Sequence, residues 1–357
     1  MHIVKKSTIY IANMADLESD YSLINFTPFE IEINKFCDWY NQYFQIIKKV
    51  MNKTVSAHIK SKVIHLIQFI GERFKIQIIP DRWYLKILFK HKIGKKLDTD
   101  NPLTFNEKIQ WLKLYDRNNK YSIMADKYAV KTYAYEILRE DICIPTIGVY
   151  SKFDDIPLES LPNSFVIKCT HDWNSVIICP DKLQFNKIEA KKKICNALKR
   201  NHYYRSLEWA YKNIPPQIII EPFLSDDGKQ APIDYRVYCF NGTPFFIHLT
   251  LNKFNQREVV FLDKNWEPIS LERAGLKKCT KNNIKKPKLL NEMLKYASKL
   301  SKDIPFLRVD FYIVAERLYL GECTFYPGEG FREFYPYEWN LKLGKMININ
   351  NSTNTSS

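Results

Sequence analysis

Residues 307–331 read LRVDFYIVAERLYLGECTFYPGEGF. Two runs rich in β-branched and aromatic residues flank the polar turn AERL, the pattern of a hairpin. Each run carries one carboxylate, Asp310 on the first and Glu322 on the second, and a Pro327-Gly328 turn follows. Paired strands lie about 5 Å apart, so a hairpin folded around AERL brings the two acids to one face. Carboxylates that close repel each other unless a cation lies between them. Hard oxygen ligands suit Mg²⁺, which completes its shell with water and substrate phosphates when one or two carboxylates hold it. The hairpin therefore points towards a nucleotide site. Taken alone, an ordinary hairpin is the plainer reading, and the rest of the chain has to decide.

A chain of 357 residues has room for two or three domains, or for one mixed core with an extension. Its hydrophobic content of 45% and aromatic content of 14% support a sizeable core and exclude general disorder. With 54 Lys and Arg against 39 Asp and Glu, the net charge is +15. That excess favours an acidic partner: nucleic acid, an anionic membrane surface, a phosphorylated ligand or a polyanionic polymer. No RRM, KH or helix-turn-helix signature is visible, so nucleic acid is not an expected partner. No apolar run approaches the ~20 residues of a membrane span. The opening stretch, MHIVKKSTIYIANMADLESD, turns acidic too soon for a signal peptide. The eight cysteines include no C-x-x-C pair and mostly sit beside apolar residues. A reduced, cytoplasmic protein without structural zinc is expected.

Residues 1–95 read as a basic, mostly helical extension. Its first 32 or so residues show no period, and apolar residues recur at helical spacing from Ile33 to about Lys96. Pro80 interrupts, and Asp81 is placed to cap the helix RWYLKILFKHKI. Such an element either packs on the main body or makes peripheral contact with the inner face of the membrane. Residues 96–345 form the catalytic region. Thr104 and Glu107 have capping-box spacing in TFNEKIQWLKLYDR, and ADKYAVKTYAYEIL continues as helix. From Pro145 short strand-like runs follow: FVIKCTHD, SVIIC, QIIIEPFL, YRVYCFNG, PFFIHLTL and VVFL. ALKRNHYYRSLEWAYK and Lys286–Ser301 read as helices among them. The Asn/Ser/Thr-rich tail, 346–357, is expected to be disordered. The whole is an α+β pattern.

Three further places carry candidate chemistry. Lys168 ends a strand before the polar turn Thr170 to Ser175, where a compact cation and turn donors could meet phosphate. QIIIEPFL runs a buried strand into Glu221, Pro222, Phe223 and Leu224, an extended apolar segment that can offer backbone groups to a purine edge. Asp234 and Arg236 share one strand face by period two, either as an ion pair or as a phosphate site's arginine.

In order, these features resemble the ATP-grasp superfamily over roughly residues 120–330. The strings LTFNEKIQWLKLYDR, ADKYAV, FVIKCTH, YKNIPPQIIIEPFL, FNGTPFFI and LRVDFY…GECTFYPGEGF resemble more narrowly its TupA-like group of polysaccharide-biosynthesis proteins. The resemblance implies two α+β subdomains with antiparallel sheets clamping ATP. Lys127 and Lys168 would contact its phosphates, and Glu221, Pro222, Phe223 and Leu224 would receive adenine. Asp234 would lie near the ribose or the metal cluster, and Arg236 near the γ-phosphate or an acyl-phosphate. Asp310 and Glu322 would hold Mg²⁺. Two departures stand out. Thr324 occupies the position where many ATP-grasp enzymes have asparagine, leaving a hydroxyl as the third ligand. The phosphate loop HDWNS has no glycine, so Asn174 and Ser175 would serve in its place.

The activity so implied is ATP-dependent amide formation between a carboxylate and an amine through an acyl-phosphate. Lys168, Arg236 and Arg308 are its candidate catalytic residues. For the TupA-like group the carboxylate is that of a uronic acid in a cell-surface polysaccharide or its precursor. The amine is a small amino acid or amino alcohol. Arg308, Arg332 and Lys253 are candidate contacts to the acidic saccharide, and Phe331, Phe334, Tyr335, Tyr337 and Trp339 could stack on sugar rings or form core. His171 and His248 are read as structural, with proton acceptance from the amine as the alternative. Two other readings stand beside the ligase: a nucleotide-sugar glycosyltransferase, and a basic binding protein without catalysis.

Overall fold

The computed structural model describes residues 57–77, 79–228, 231–251, 258–279 and 284–349. The expectations for residues 1–56, for Lys253 and for the tail from residue 350 onwards lie outside the described residues. The chain divides into two compact units, Met1–Pro80 and Asp81–Ser357. In the first, the basic helix α1 (Ala57–Phe74) is described, with Ile64 and Gly71 buried and Leu66 and Phe69 exposed. No helix among the described residues is long and apolar enough to cross a membrane.

The second unit opens with α2 (Asp81–Ile93), followed by α3 (Phe105–Tyr115), α4 (Lys120–Ala125) and α5 (Ala129–Leu138). Helix α3 starts where its capping box requires. The Thr104 hydroxyl accepts from the Glu107 amide, and the Glu107 carboxylate accepts from the Thr104 amide. Each end of the box satisfies a backbone donor that the first helical turn leaves open, worth about 1 kcal/mol.

Two antiparallel sheets follow, each with its own core. The smaller has the order β1-β4-β2-β3, from Gly148–Tyr150, Ile218–Pro222, Phe165–Cys169 and Ile177–Cys179. Phe165, Ile167, Ile218 and Ile220 form its inner face, and helix α6 (Lys187–Leu198) packs Ala190 and Ile194 against it. The larger sheet runs β11-β10-β5-β6-β7-β9. Its strands are β5 (Asp234–Phe240), β6 (Thr243–Leu251), β7 (Glu258–Asp263), β9 (Lys277–Lys278), β10 (Phe306–Val314) and β11 (Arg317–Thr324). Only β9 joins in parallel, on β7. Helix α8 (Leu290–Leu300) lays Met293, Tyr296, Ala297 and Leu300 into the same core as Val237, Ile247 and Leu307. A leucine or methionine fully buried in this way contributes about 1.5–3 kcal/mol. A short pair, β8 (Glu272–Arg273) with β12 (Phe334–Tyr335), and the final helix α9 (Glu338–Met346) complete the unit.

One expected helix differs. ALKRNHYYRSLEWAYK is broken: α6 ends at Leu198, a single turn α7 (Tyr203–Ser206) follows, and Trp209–Tyr211 is a 3₁₀ turn. Asn201 supplies the reason. Its side chain accepts from the Tyr203 amide and donates to the Lys212 carbonyl, competing with helical backbone bonds. Leu207 then takes a left-handed φ of 57°. The break turns the 202–211 segment into an irregular wall.

Candidate active site

The hairpin β10–β11 closes on Val314 paired with Arg317, leaving Ala315 and Glu316 at φ 50° and 58°. Positive φ at both turn residues matches the twist of the flanking strands. In this register Asp310 lies directly opposite Glu322, and Arg308 opposite Thr324. Between Asp310 and Phe311 the register shifts, making Gly321 an extra residue beside the acids. A Cβ there would lie 2.8 Å from the Tyr312 ring and 3.1 Å from the Asp310 carbonyl. Glycine is what lets the bulge seat Glu322 against Asp310.

The cation between the carboxylates is a guanidinium. Arg308 donates to Asp310 Oδ1 and Oδ2 at 2.6 Å each, to Glu322 Oε1 at 2.7 Å and to Thr324 Oγ1 at 2.9 Å. The Thr324 hydroxyl donates to Glu322 Oε1 in turn. Burial pushes both carboxyls up. For Glu322 the Arg308 charge, with Lys127 adding to it, overrides burial and holds it at about 2. Asp310 sits high, because burial and the Glu322 charge outweigh the same guanidinium. Two neighbouring acids sharing one counter-charge titrate as a pair, one ionising easily and the other reluctantly. Arg236 on the neighbouring β5 lies opposite Asp310, pairs with Asp234 at 2.8 Å, and places Nε 3.4 Å from Asp310 Oδ2.

A cavity of about 780 Å³ lies over this centre. The smaller sheet supplies its opposite wall. Glu221 on β4 is buried between two ammoniums, Lys168 of β2 and Lys131 of α5, the latter at 2.7 Å. Burial raises the Glu221 carboxyl, and the two lysines more than reverse that and hold it below its ordinary value. Pro222, Phe223 and Leu224 continue along the cavity edge. Lys127 also lines it and donates to the Asp172 carbonyl in the loop after β2. It sits between α4 and α5 rather than inside one helix, and Asp126 accepts there from the Tyr128 and Ala129 amides.

Lys127, Lys168, Glu221 to Leu224, Asp234, Arg236, Arg308, Asp310, Glu322 and Thr324 thus all line one cavity. Asn174 and Ser175 are not among its lining residues. Asn174 is exposed, and Ser175 is buried inside its own loop, accepting from the Cys169 amide and donating to Asp172 Oδ1. Trp173 and Val176 line the cavity in their place. His171 is buried against the Ala197 carbonyl. His248 is fully buried and stacked on Phe261, and burial and three arginines keep it neutral. Neither histidine lines the cavity. Arg332 and Phe331 line it, while Phe334 lies in the core and Tyr335 and Tyr337 are exposed.

Several lining residues gave no sequence signal: Lys92, Arg205, Glu208, Tyr211, Tyr326 and Glu329. They come from elements far apart in the chain. The turn Pro327–Gly330 holds its shape through α3. Asn106 and Gln110 donate to the Gly330 carbonyl, and buried Lys113 donates to the Glu329 carbonyl at 2.8 Å.

The donor set fits a magnesium–nucleotide group. Asp310, Glu322 and Thr324 offer hard oxygens from one hairpin, and Lys168 of the smaller sheet and Lys127 line the same cavity. The buried Arg236 Nε has no hydrogen-bond partner among the described residues. Two antiparallel halves with such a centre between them define the ATP-grasp class, enzymes that use ATP and Mg²⁺ to join carbon to nitrogen. The TupA-like ATPgrasp family model matches residues 107–348, and the chain belongs to that family.

Solved structures similar to the chain include D-alanine–D-alanine ligase from Bacillus anthracis complexed with ATP. It is 16% identical over 57% of this chain and 55% of that one, with a TM-score of 0.33. The D-alanine–D-alanine ligase of Helicobacter pylori is 16% identical over 68% of this chain and 69% of that one, with a TM-score of 0.36. N5-carboxyaminoimidazole ribonucleotide synthetase from Thermus thermophilus is 12% identical over 57% of this chain and 45% of that one, with a TM-score of 0.31. The chain thus spans about half to two thirds of the length of these proteins. No curated protein matches it.

Proposed function

We propose that the protein is an ATP-dependent carboxylate–amine ligase. Its acid substrate is a uronic-acid carboxylate of a cell-surface polysaccharide or precursor, and its amine an amino acid or amino alcohol. The observation that carries the ligase reading is the shared cavity. One wall presents Asp310, Glu322 and Thr324 around a guanidinium, and the other presents Lys168 against Glu221, with Lys127 also lining the cavity.

A carboxylate resists nucleophiles because its charge repels them. Phosphorylation removes that charge and supplies a leaving group, so the protein's task is to position groups and to spread charge. Lys168 and Lys127 bind the phosphates, and Arg236 and Arg308 face the transferring phosphoryl group and the acyl-phosphate. Asp310, Glu322 and Thr324 would hold Mg²⁺, which neutralises phosphate charge when bound. Glu221 to Leu224 receive the base. The saccharide assignment is supported by the +15 net charge and by Arg332 at the cavity, both of which suit an acidic acceptor.

The test is incubation with ATP, Mg²⁺, a panel of uronic-acid glycosides and a panel of amines, with products read by mass. An amide of new mass together with ADP is the expected result. ADP release with non-uronic carboxylates alone would remove the saccharide assignment. Absence of ADP with every acid would remove the ligase reading.

A further inference from the structure

Part of the cavity wall takes no role in holding the nucleotide or the metal. It comes from the broken segment 202–211 and from the turn after β11: Glu208, Tyr211, Tyr326 and Glu329. Three of these carry acidic or phenolic groups that are almost wholly buried: Glu208 is 3% exposed, Tyr326 3% and Tyr211 8%. A carboxylate kept from water at a cavity wall needs either a fixed partner or a ligand.

The fixed partners of Glu208 are modest. The Ser206 hydroxyl donates to its Oε1 at 2.8 Å, and His202 Nε2 lies 3.7 Å from the same oxygen. His202 is itself oriented, because its Nε2 accepts from the Trp173 indole and its ring meets Tyr211 edge-on at 5.5 Å. Tyr326 adds a second, independent observation. Tyr326 lines the cavity, and its buried hydroxyl has no hydrogen-bond partner among the described residues. Tyr211 lines the same cavity as Glu322 and Arg308.

We propose that Glu208 is the general base of amide formation, receiving the amine substrate's ammonium together with the Tyr326 hydroxyl and taking its proton. The inference rests on the ligase reading and names the group that reading lacks. An amine reaches the enzyme protonated, without a free lone pair. One proton passes from nitrogen to the Glu208 carboxylate, which becomes neutral. The freed pair attacks the acyl carbon and the C–N bond forms. The C–O bond to phosphate breaks, its electrons remain on the phosphate, and the second nitrogen proton goes to that leaving phosphate.

The electrostatics agree with this role. Burial raises the Glu208 carboxyl above its ordinary range and the Glu329 charge adds to that, against His202, Lys113 and the Ser206 bond. A carboxylate raised in this way takes a proton more readily once ionised. Glu329 faces the same space, but its carboxylate is already held by Arg205 at 2.9 Å, with Lys92 at 3.9 Å. The ligand atoms of His202, Glu208 and Glu329 lie within 4.8 Å of one another.

The test compares wild type, Glu208→Gln and Glu208→Asp, each with ATP, Mg²⁺ and methyl glucuronide. The nucleophile is either ethanolamine, which needs a base, or hydroxylamine, which is already unprotonated at neutral pH. Glu208→Gln is expected to slow ethanolamide formation about 100-fold or more. It should leave hydroxamate formation and the ATP·Mg²⁺ thermal shift within about threefold and one degree of wild type. Glu208→Asp, which keeps the charge but draws it back, should fall between. Equal loss with both nucleophiles, or no loss with either, overturns the proposal. Binding gives a reading independent of turnover: ethanolamine should raise the melting temperature of ATP-loaded wild type and not of Glu208→Gln. The same response in both, or none in wild type, also overturns it. Absence of ADP release from wild type with every carboxylate counts instead against the ligase reading.

Discussion

Replacing Glu221 by glutamine removes one charge and almost no volume, at the point where the smaller sheet meets the cavity. In the wild type its carboxylate sits between Lys131 and Lys168, with side-chain exposures of 16% and 13%, and is itself 4% exposed. The variant leaves two ammoniums facing each other across a neutral amide. Breaking a buried ion pair by removing one partner costs about 3–5 kcal/mol. Both ammoniums here keep some contact with water, which places the cost near the low end, about 3 kcal/mol. For a unit of this size that lowers the melting temperature by roughly 6 °C. If Lys168, which lines the cavity, faces phosphate, ATP then supplies part of the charge that glutamine lacks. ATP·Mg²⁺ should therefore raise the variant's melting temperature by more than it raises the wild type's. Acid should narrow the gap between the two proteins. The folded carboxyl is held below its ordinary 4.5, so its stabilisation is present above that pH and is lost as pH falls through the folded value. Scanning calorimetry at pH 7 with and without ATP·Mg²⁺, repeated towards pH 3.5, checks all three. A variant melting within a degree of wild type, or an ATP response no larger than wild type's, would refute the reasoning.

Other perturbations reach different parts of the site. Lys168→Ala and Glu322→Gln are each expected to abolish amide product while circular dichroism still shows a folded protein, and wild-type turnover in either would mean the site is misplaced. Gly321→Ala drives a Cβ against the Tyr312 ring and the Asp310 carbonyl. It should destabilise by about 1–3 kcal/mol in urea titration and weaken Mg²⁺-dependent ATP binding; an unchanged midpoint and affinity would contradict the bulge's role. Lys113 is fully buried, and burial pushes its ammonium down to about 8 from 10.5. Between those values the unfolded chain binds more protons than the folded one, so this group adds stability as pH rises. The difference in stability between wild type and Lys113→Met should therefore grow by about 3 kcal/mol from pH 7.5 to 10.5. A flat difference would show that the ammonium is better solvated than its burial indicates.

Much of the fold was legible because local rules and tertiary packing agree. The capping box at Thr104, the hairpin around AERL and the β-branched runs from Phe165 onwards each specify their own geometry within a few residues. The pairing of Asp310 with Glu322 follows from turn length and a strand period of two, with Gly321 adjusting the register. What stayed hidden depends on contacts between distant segments. Nothing near Lys131 marks it as the second partner of Glu221, because its address is set by how α5 packs. Arg308, a candidate catalytic residue and acceptor contact by sequence, also bridges the two acids, which no spacing announces. Glu208 lay inside an expected helix, where an acid reads as a solvated face. Only the break after Leu198 turns it to the cavity. The missing glycines of the loop point to Asn174 and Ser175 as substitutes, yet Ser175 is spent on closing its own loop.

The most direct measurement is a crystal structure with Mn²⁺ and a non-hydrolysable ATP analogue, located by the anomalous signal of manganese. The metal peak is expected between the Asp310 and Glu322 carboxylates, with the triphosphate reaching Lys168 and the Arg308 guanidinium displaced from between the acids. A manganese peak elsewhere, or a nucleotide bound while Arg308 still bridges both carboxylates, would contradict it.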